Sequence, residues 1–337
     1  MSEPTRPPSP ARRGRLARLT AAFAVLLGLV AYVAVHYVTG SKGAPRCSVG
    51  SGANRYEFTP EQASNAATIA AVGTTRGMPE RAVTIALATA LQESALYNIE
   101  HGDRDSLGLF QQRPSQGWGT PEQIIDPVYA SGKFYEGLEK VPGYSRLPLT
   151  VAAQKVQRSG FPQAYAKHEP DAALLSAALT GRAPASLACT ADVAEGRPGD
   201  PARVRDEVVR AFGERAKPRV TPPDAKGAPS GGPGAGAAAV ELSVPVRAAT
   251  GSREQRGWEL AQWAVARADE LRVAEVAYGD RVWRADDSSG EWEPVRRDGG
   301  AKGAGNTGGT DGAQGAEGTG GTGGTDGSWV RLRLTAR

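Results

Sequence analysis

The chain has 337 residues, with 40 Lys and Arg against 36 Asp and Glu and a formal net charge of +4. That length accommodates two modest domains of about 100 to 200 residues each. The basic excess is concentrated in Arg6, Arg12, Arg13, Arg15 and Arg18, opposed there only by Glu3; no Lys/Arg stripe follows, which argues against a nucleic-acid partner.

Residues 1–18 therefore read as a basic cytoplasmic tail. The run Thr20 to Val38 carries no formal charge, and a helix of about 20 such residues spans the roughly 30 Å of bilayer hydrocarbon. Residues 19–39 are expected to be a single transmembrane anchor in the cytoplasmic membrane, with the arginines inside and everything beyond outside. A cleavable signal peptide is the alternative, although its apolar core is usually shorter, about 7 to 15 residues. The two cysteines, Cys47 and Cys189, both fall on the outer side, where oxidation is permitted, and bracket the next segment. They are expected to form one disulfide, the alternative being two unrelated thiols.

After a linker over 40–54, a mainly α domain is expected over 55–216. Thr59-Pro60-Glu61-Gln62 supplies an N-cap, a first-turn proline and a capping-box glutamine, starting a helix that runs to about Thr75. A second helix begins near Pro79 and is apolar on most of its circumference, at Val83, Ile85, Leu87 and Leu91, which predicts burial on nearly all sides. Thr120-Pro121-Glu122-Gln123 repeats the start signal, and helical stretches follow to Lys140, from Thr150 to Ser159 and from Asp171 to Leu179. Asp200-Pro201 caps one more, with Val204, Val208, Val209 and Phe212 on one face.

A Pro/Gly/Ala linker is expected over 217–248 and a small α+β module over 249–337. The module has a helical stripe at Trp258, Ala261, Val265 and Ala268 and alternating runs at Val273 to Tyr278, Arg281 to Arg284 and Trp329 to Thr335. A Gly/Thr-rich segment, 299–327, offers too little apolar surface to offset its ordering entropy and reads as a disordered loop. Five of the six tryptophans fall in this module, where filling a small core is the first reading and sugar stacking the second.

Glu93 ends the apolar helix and is the one acid between Arg81 and Tyr97. A poorly solvated carboxyl there holds its proton near neutrality, as a general acid for glycosidic cleavage must. Glu93-Ser94, followed by Ser106-Leu107-Gly108-Leu109-Phe110-Gln111-Gln112, resembles the lytic transglycosylase and goose-type lysozyme superfamily, in which Glu-Ser on a helix precedes a Gly-Leu-Met-Gln-type turn. The resemblance implies a lysozyme-like fold that cleaves peptidoglycan as a muramidase or lytic transglycosylase, with Glu93 catalytic. It further implies that Gly108 lets the backbone approach the sugar, and that Ser94, Gln111 and Gln112 line the cleft.

The chain departs from that family in two places. His101-Gly102-Asp103-Arg104-Asp105 replaces a small-residue segment, so Asp103 or Asp105 is a candidate second carboxylate for an inverting hydrolase, the alternative being solvated loop or cap residues. Val151 to Ser159 stands where the family carries Ala-Tyr-Asn-Gly; Gln154 and Gln157 there are candidate sugar ligands, with core or surface positions as the alternative. His36 lies in the expected span, and His101 and His168 form no zinc spacing with the cysteines, so neither a metal nor a cofactor is expected. The C-terminal module resembles modules beside actinobacterial cell-wall hydrolases, some related to a zinc D,D-peptidase fold. It contains no histidine, which points to binding, with a possible protein partner, rather than cutting. The rival to an enzyme is a degenerate lysozyme-like domain that binds the wall or a partner.

Overall fold

The computed structural model describes residues 23–32, 44–159, 162–191, 197–221, 239–248, 251–295 and 327–336. Two units divide between Ala44 and Pro45. In the first, residues 23–32 form helix α1, whose Phe23, Val25, Leu26, Leu27, Leu29, Val30 and Tyr32 are all exposed. Among the described residues no helix is long and apolar enough to cross a membrane. The rest of the expected span, and the tail over 1–18, lie outside them.

The second unit is a mixed α+β fold with a three-stranded and a six-stranded sheet. It opens with a hairpin, β1 (Cys47–Ser51) and β2 (Asn54–Phe58), whose Ser51 and Asn54 pair across a two-residue turn. This corrects the expectation of a linker over 40–54. The turn is Gly52-Ala53, with Gly52 at φ 57°, and β1 also pairs with β3 (Leu187–Cys189). That register puts Cys47 opposite Cys189, and the two form the disulfide.

Helix α2 (Pro60–Thr75) begins as its sequence requires. Thr59 Oγ1 accepts the Gln62 N–H at 3.3 Å, and Gln62 Oε1 accepts the Thr59 N–H at 2.8 Å. Helix α3 (Glu80–Ser94) is buried without a break from Ala82 to Leu91, packed among α2, α5 (Pro127–Glu139), α6 (Leu149–Gln157) and α7 (Glu169–Leu179). A short α4 (Pro121–Ile125) carries the second capping box, at Thr120 and Gln123. Asp200 caps α8 (Pro201–Phe212), accepting the Ala202 N–H at 2.8 Å.

The six-stranded sheet is antiparallel throughout, in the order β4-β5-β9-β6-β7-β8. Three strands fall where alternation predicted them: β6 (Val273–Tyr278), β7 (Arg281–Arg284) and β9 (Trp329–Leu334). The other three are β4 (Arg219–Thr221), β5 (Glu241–Pro245) and β8 (Trp292–Pro294). Two of them, β4 and β5, lie inside the segment expected to be linker over 217–248, of which 222–238 is outside the described residues, as are 299–326 of the expected disordered loop. One edge of the sheet is thus formed by β4, from within the expected linker.

Nor does the C-terminal part hang free of the helical part, as a module on a tether would. Helix α9 (Arg253–Ala266) is buried from Gly257 to Ala266, followed by a short α10 (Ala268–Leu271). It packs on β6 and β9 on one side and on α2, α7 and β3 on the other. Fully buried Gln262 settles the polar bill at that seam: its Oε1 accepts from the Ser186 and Leu187 N–H groups, and its Nε2 donates to Ala178 O at 2.7 Å. The indoles of Trp283 and Trp292 donate to the carbonyls of Cys189 at 2.9 Å and Leu187 at 3.0 Å. Buried Glu259 is matched by Arg256 at 2.8 Å and by the Thr74 hydroxyl of α2. An apolar helix face cannot be left in water, and here both faces of α9 are apolar, so a second partner was required.

Candidate functional site

Helix α3 stops abruptly after Glu93-Ser94 because Ala95 and Leu96 both turn left-handed, at φ 52° and 63°. Neither is glycine, and each such residue costs about 1 to 2 kcal/mol. The surroundings hold them there: their N–H groups donate to Leu91 O and Ala90 O at 3.1 Å. From α2, Gln62 Nε2 grips the Ala95 carbonyl and Asn65 Nδ2 the Leu96 carbonyl, each at 2.8 Å. The capping glutamine of α2 therefore also fixes the end of α3, and with it the place of the Glu93 carboxyl.

Glu93 is half-buried, and burial pushes its pKa above the usual carboxylate value. Hydrogen bonds from Tyr165 and Gln157 pull the other way without prevailing. The partial negative charge at a helix C-terminus works in the same direction as burial. Tyr165 Oη donates to Glu93 Oε1 at 2.5 Å, the length of a charge-assisted O–H···O bond. Tyr165 comes from a 3-10 helix, Pro162–His168, and is fully buried. Burial, and then the neighbouring Glu93, drive its own pKa far above the ordinary tyrosine range, so it is a permanent donor. Ser159 hydrogen-bonds Tyr165 in turn.

Gln157 and Gln154 lie one turn apart on α6. Gln157 Nε2 donates to Phe110 O at 2.7 Å, and its Oε1 has no partner among the described residues. Gln154 Nε2 donates to Ser159 O at 2.8 Å, and its Oε1 likewise has no partner among the described residues. The Ser94 hydroxyl donates to Leu109 O at 2.8 Å and so joins the helix end to the glycine turn.

That turn is tight. Gly108 has φ 73° and its N–H donates to Ile99 O at 2.7 Å. A Cβ on it would sit 2.7 Å from the Ile124 carbonyl. The need for glycine thus comes from the backbone of α4, and the expected approach of a sugar is not what fills that direction. Gln111, left-handed at φ 47°, turns its amide back onto the carbonyls of His101 and Gly108. Gln112 is 1% exposed and donates to Ala130 O at 3.1 Å, so its side chain faces the core instead of a cleft.

Of the two candidate second carboxylates, Asp105 is committed elsewhere. Its Oδ1 accepts from Arg113 Nε and its Oδ2 from the Ser115 N–H, each at 2.8 Å. Those bonds hold its carboxyl well below the usual range, so it stays charged and is a weak base. Asp103 is exposed. No hydrogen bond or ion pair joins either to Glu93 among the described residues. Nor do the described residues contain a cluster of His, Cys, Asp and Glu able to hold a metal ion.

The residue sequence reasoning missed is Tyr165. Its signal was the pair Ala164-Tyr165, several residues beyond the stretch aligned with the family's Ala-Tyr-Asn-Gly, and followed by Ala166. What can be assembled here is an acid of raised pKa, a tyrosine that donates to it and a glutamine with a spare acceptor.

A family model described as VldE, C-terminal domain, matches residues 200–304. The match begins at the cap of α8, stops before the central strand β9, and contains none of the residues around Glu93. No curated protein matches the chain.

Proposed function

We propose that this chain cleaves the glycan strand of peptidoglycan outside the cytoplasmic membrane, to which α1 and its flanking residues anchor it. The observation that carries the reading is the Glu93 carboxyl, half-buried at a helix end with a raised pKa and a hydrogen bond from Tyr165. A carboxyl so held is protonated at a higher pH than an exposed one and can deliver its proton to a glycosidic oxygen. A buried carboxyl is costly to keep, and a domain that only bound glycan would have no use for it.

With Asp105 engaged by Arg113 and Ser115, the bond-breaking step is better completed by an internal hydroxyl of the substrate than by water activated at Asp105. The activity we assign is therefore lytic transglycosylation, with hydrolysis through Asp103 as its competitor. The exposed apolar circumference of α1, within a run free of charge behind a basic tail, supports the anchor. Digestion of purified wall by the full chain, with products resolved by mass, tests both points. Anhydro-ended products, lost in Glu93→Gln, are expected. Reducing-end products alone would establish a hydrolase, and wall binding with no products would establish the binding-domain alternative.

A further inference from the structure

The six-stranded sheet has one face under α9, and no described element packs on the other. On that second face the register sets Arg331 of β9 between Ser243 of β5 and Ala277 of β6, with Val282 of β7 beyond. In the adjoining row stand Glu241, Arg333, Glu275 and Arg284. Because Ala277 is short, a trough of about 180 Å³ opens over it, walled by Val282 and Val295 and rimmed by these charged residues. Val282 is 4% exposed and lies outside the main hydrophobic core.

The charges around the trough are not equally spent. Glu275 accepts from Arg333 at 2.8 Å and from Arg284 at 3.1 Å. Arg331 and Glu241 have no ionic partner among the described residues. Three arginines and two glutamates line the trough, and Glu293, opposite Val282, pairs with Arg284 at 3.2 Å, so Arg331 is the one lining arginine without an ionic partner among the described residues. A phosphate dianion would be over-charged for that site and would press its oxygens against valines. A carboxylate attached to a small apolar group fits both features: it pairs with the guanidinium of Arg331, rests its apolar part on Ala277, Val282 and Val295, and gives an amide N–H to Glu241. The volume lies below the roughly 300 to 1,000 Å³ of pockets for drug-sized ligands, so one or two small residues fill it.

We propose that this trough binds the carboxylate end of a short peptide with small apolar side chains, through Arg331. Wall stem peptides have that chemistry, so the proposal rests on the wall reading for its occupant but not on Glu93. The test is calorimetric titration of the full chain in detergent with N-acetyl-D-alanyl-D-alanine, with its C-terminal amide and with glycerol phosphate. The free acid should bind, and the amide about tenfold or more weakly, the loss of a hydrogen bond to a charged group. Arg331→Gln should weaken the acid to the same degree, and Ala277→Leu, which fills the floor and leaves Arg331 in place, should do likewise. Arg219→Gln, on the same face but outside the trough, and Glu93→Gln should bind as the parent does. Equal binding of acid and amide, binding undiminished by both trough variants, or no binding of the acid would overturn the proposal. Tighter binding of glycerol phosphate would overturn it in favour of a phosphate-bearing polymer. Absence of wall cleavage by the parent chain, with binding of the acid intact, would count against the Glu93 reading alone.

Discussion

Replacing Tyr165 with Phe removes one oxygen and leaves the buried ring in place, so it isolates the hydrogen bond to Glu93 from the packing around it. The hydroxyl donates to Oε1 at 2.5 Å and stabilises the charged form of Glu93, against the burial that disfavours it. A hydrogen bond to a charged group is worth about 1.5 to 3 kcal/mol, and each pKa unit is about 1.4 kcal/mol. Without the donor, the Glu93 pKa should therefore rise by about one to two units. A higher pKa keeps the acid protonated to higher pH, so the basic limb of turnover on soluble glycan fragments should move up by that amount. The same shift should be seen by carbon NMR titration of the Glu93 carboxyl, which does not depend on catalysis. A limb and a titration that stay in place, or move to lower pH, would refute the argument that Tyr165 serves as donor to a carboxylate.

Five further outcomes follow from the structure. Glu93→Gln should lower glycan cleavage by at least about 10² to 10⁴, the worth of general acid catalysis, while wall binding persists; retention of turnover would remove Glu93 from the mechanism. Its folded pKa lies above its ordinary value of 4.5, so the stability held by the protonated form is complete below that value and is lost as pH rises through the folded one. Urea unfolding of Glu93→Gln should show a flatter fall in that window than the parent, and parallel curves would contradict it. Asp105→Asn should cost far less activity than Glu93→Gln, since it loosens the Arg113 and Ser115 contacts and removes no base; equal losses would restore Asp105 as a second catalytic carboxylate. Gly108→Ala should destabilise by about 2 kcal/mol or more in urea unfolding, from its left-handed backbone and the Ile124 carbonyl in the way of a Cβ. Cys47→Ser opens a link across 142 residues and should lower stability by up to about 5 kcal/mol in the chain-entropy limit, and an unchanged unfolding midpoint would show that the pair contributes nothing.

The amino-acid sequence by itself determined whatever depends on neighbours a few positions apart. The capping box at Thr59 and Gln62 and the apolar circumference of α3 were legible because a helix repeats every 3.6 residues. Strands β6, β7 and β9 were legible because alternation has period two. Cys47 and Cys189 could be paired because they are the only two cysteines in the sequence. Tertiary structure alone decided the partners that lie far apart in the chain. Tyr165 meets Glu93 across 72 positions, and no local pattern encodes that distance. Gln111, Gln112, Gln154 and Gln157 look alike in sequence, yet a backbone turn, the core, Ser159 and Phe110 claim them separately. Asp105 reads as a free carboxylate in sequence, and only the fold brings Arg113 and Ser115 onto its two oxygens. Strands β4 and β5 looked like linker because a short edge strand and its neighbour gain their stability from pairing, across a gap the sequence does not measure. The sheet's second face became a candidate site only when register placed short Ala277 beside Arg331 and gave Arg333 and Arg284 a shared glutamate.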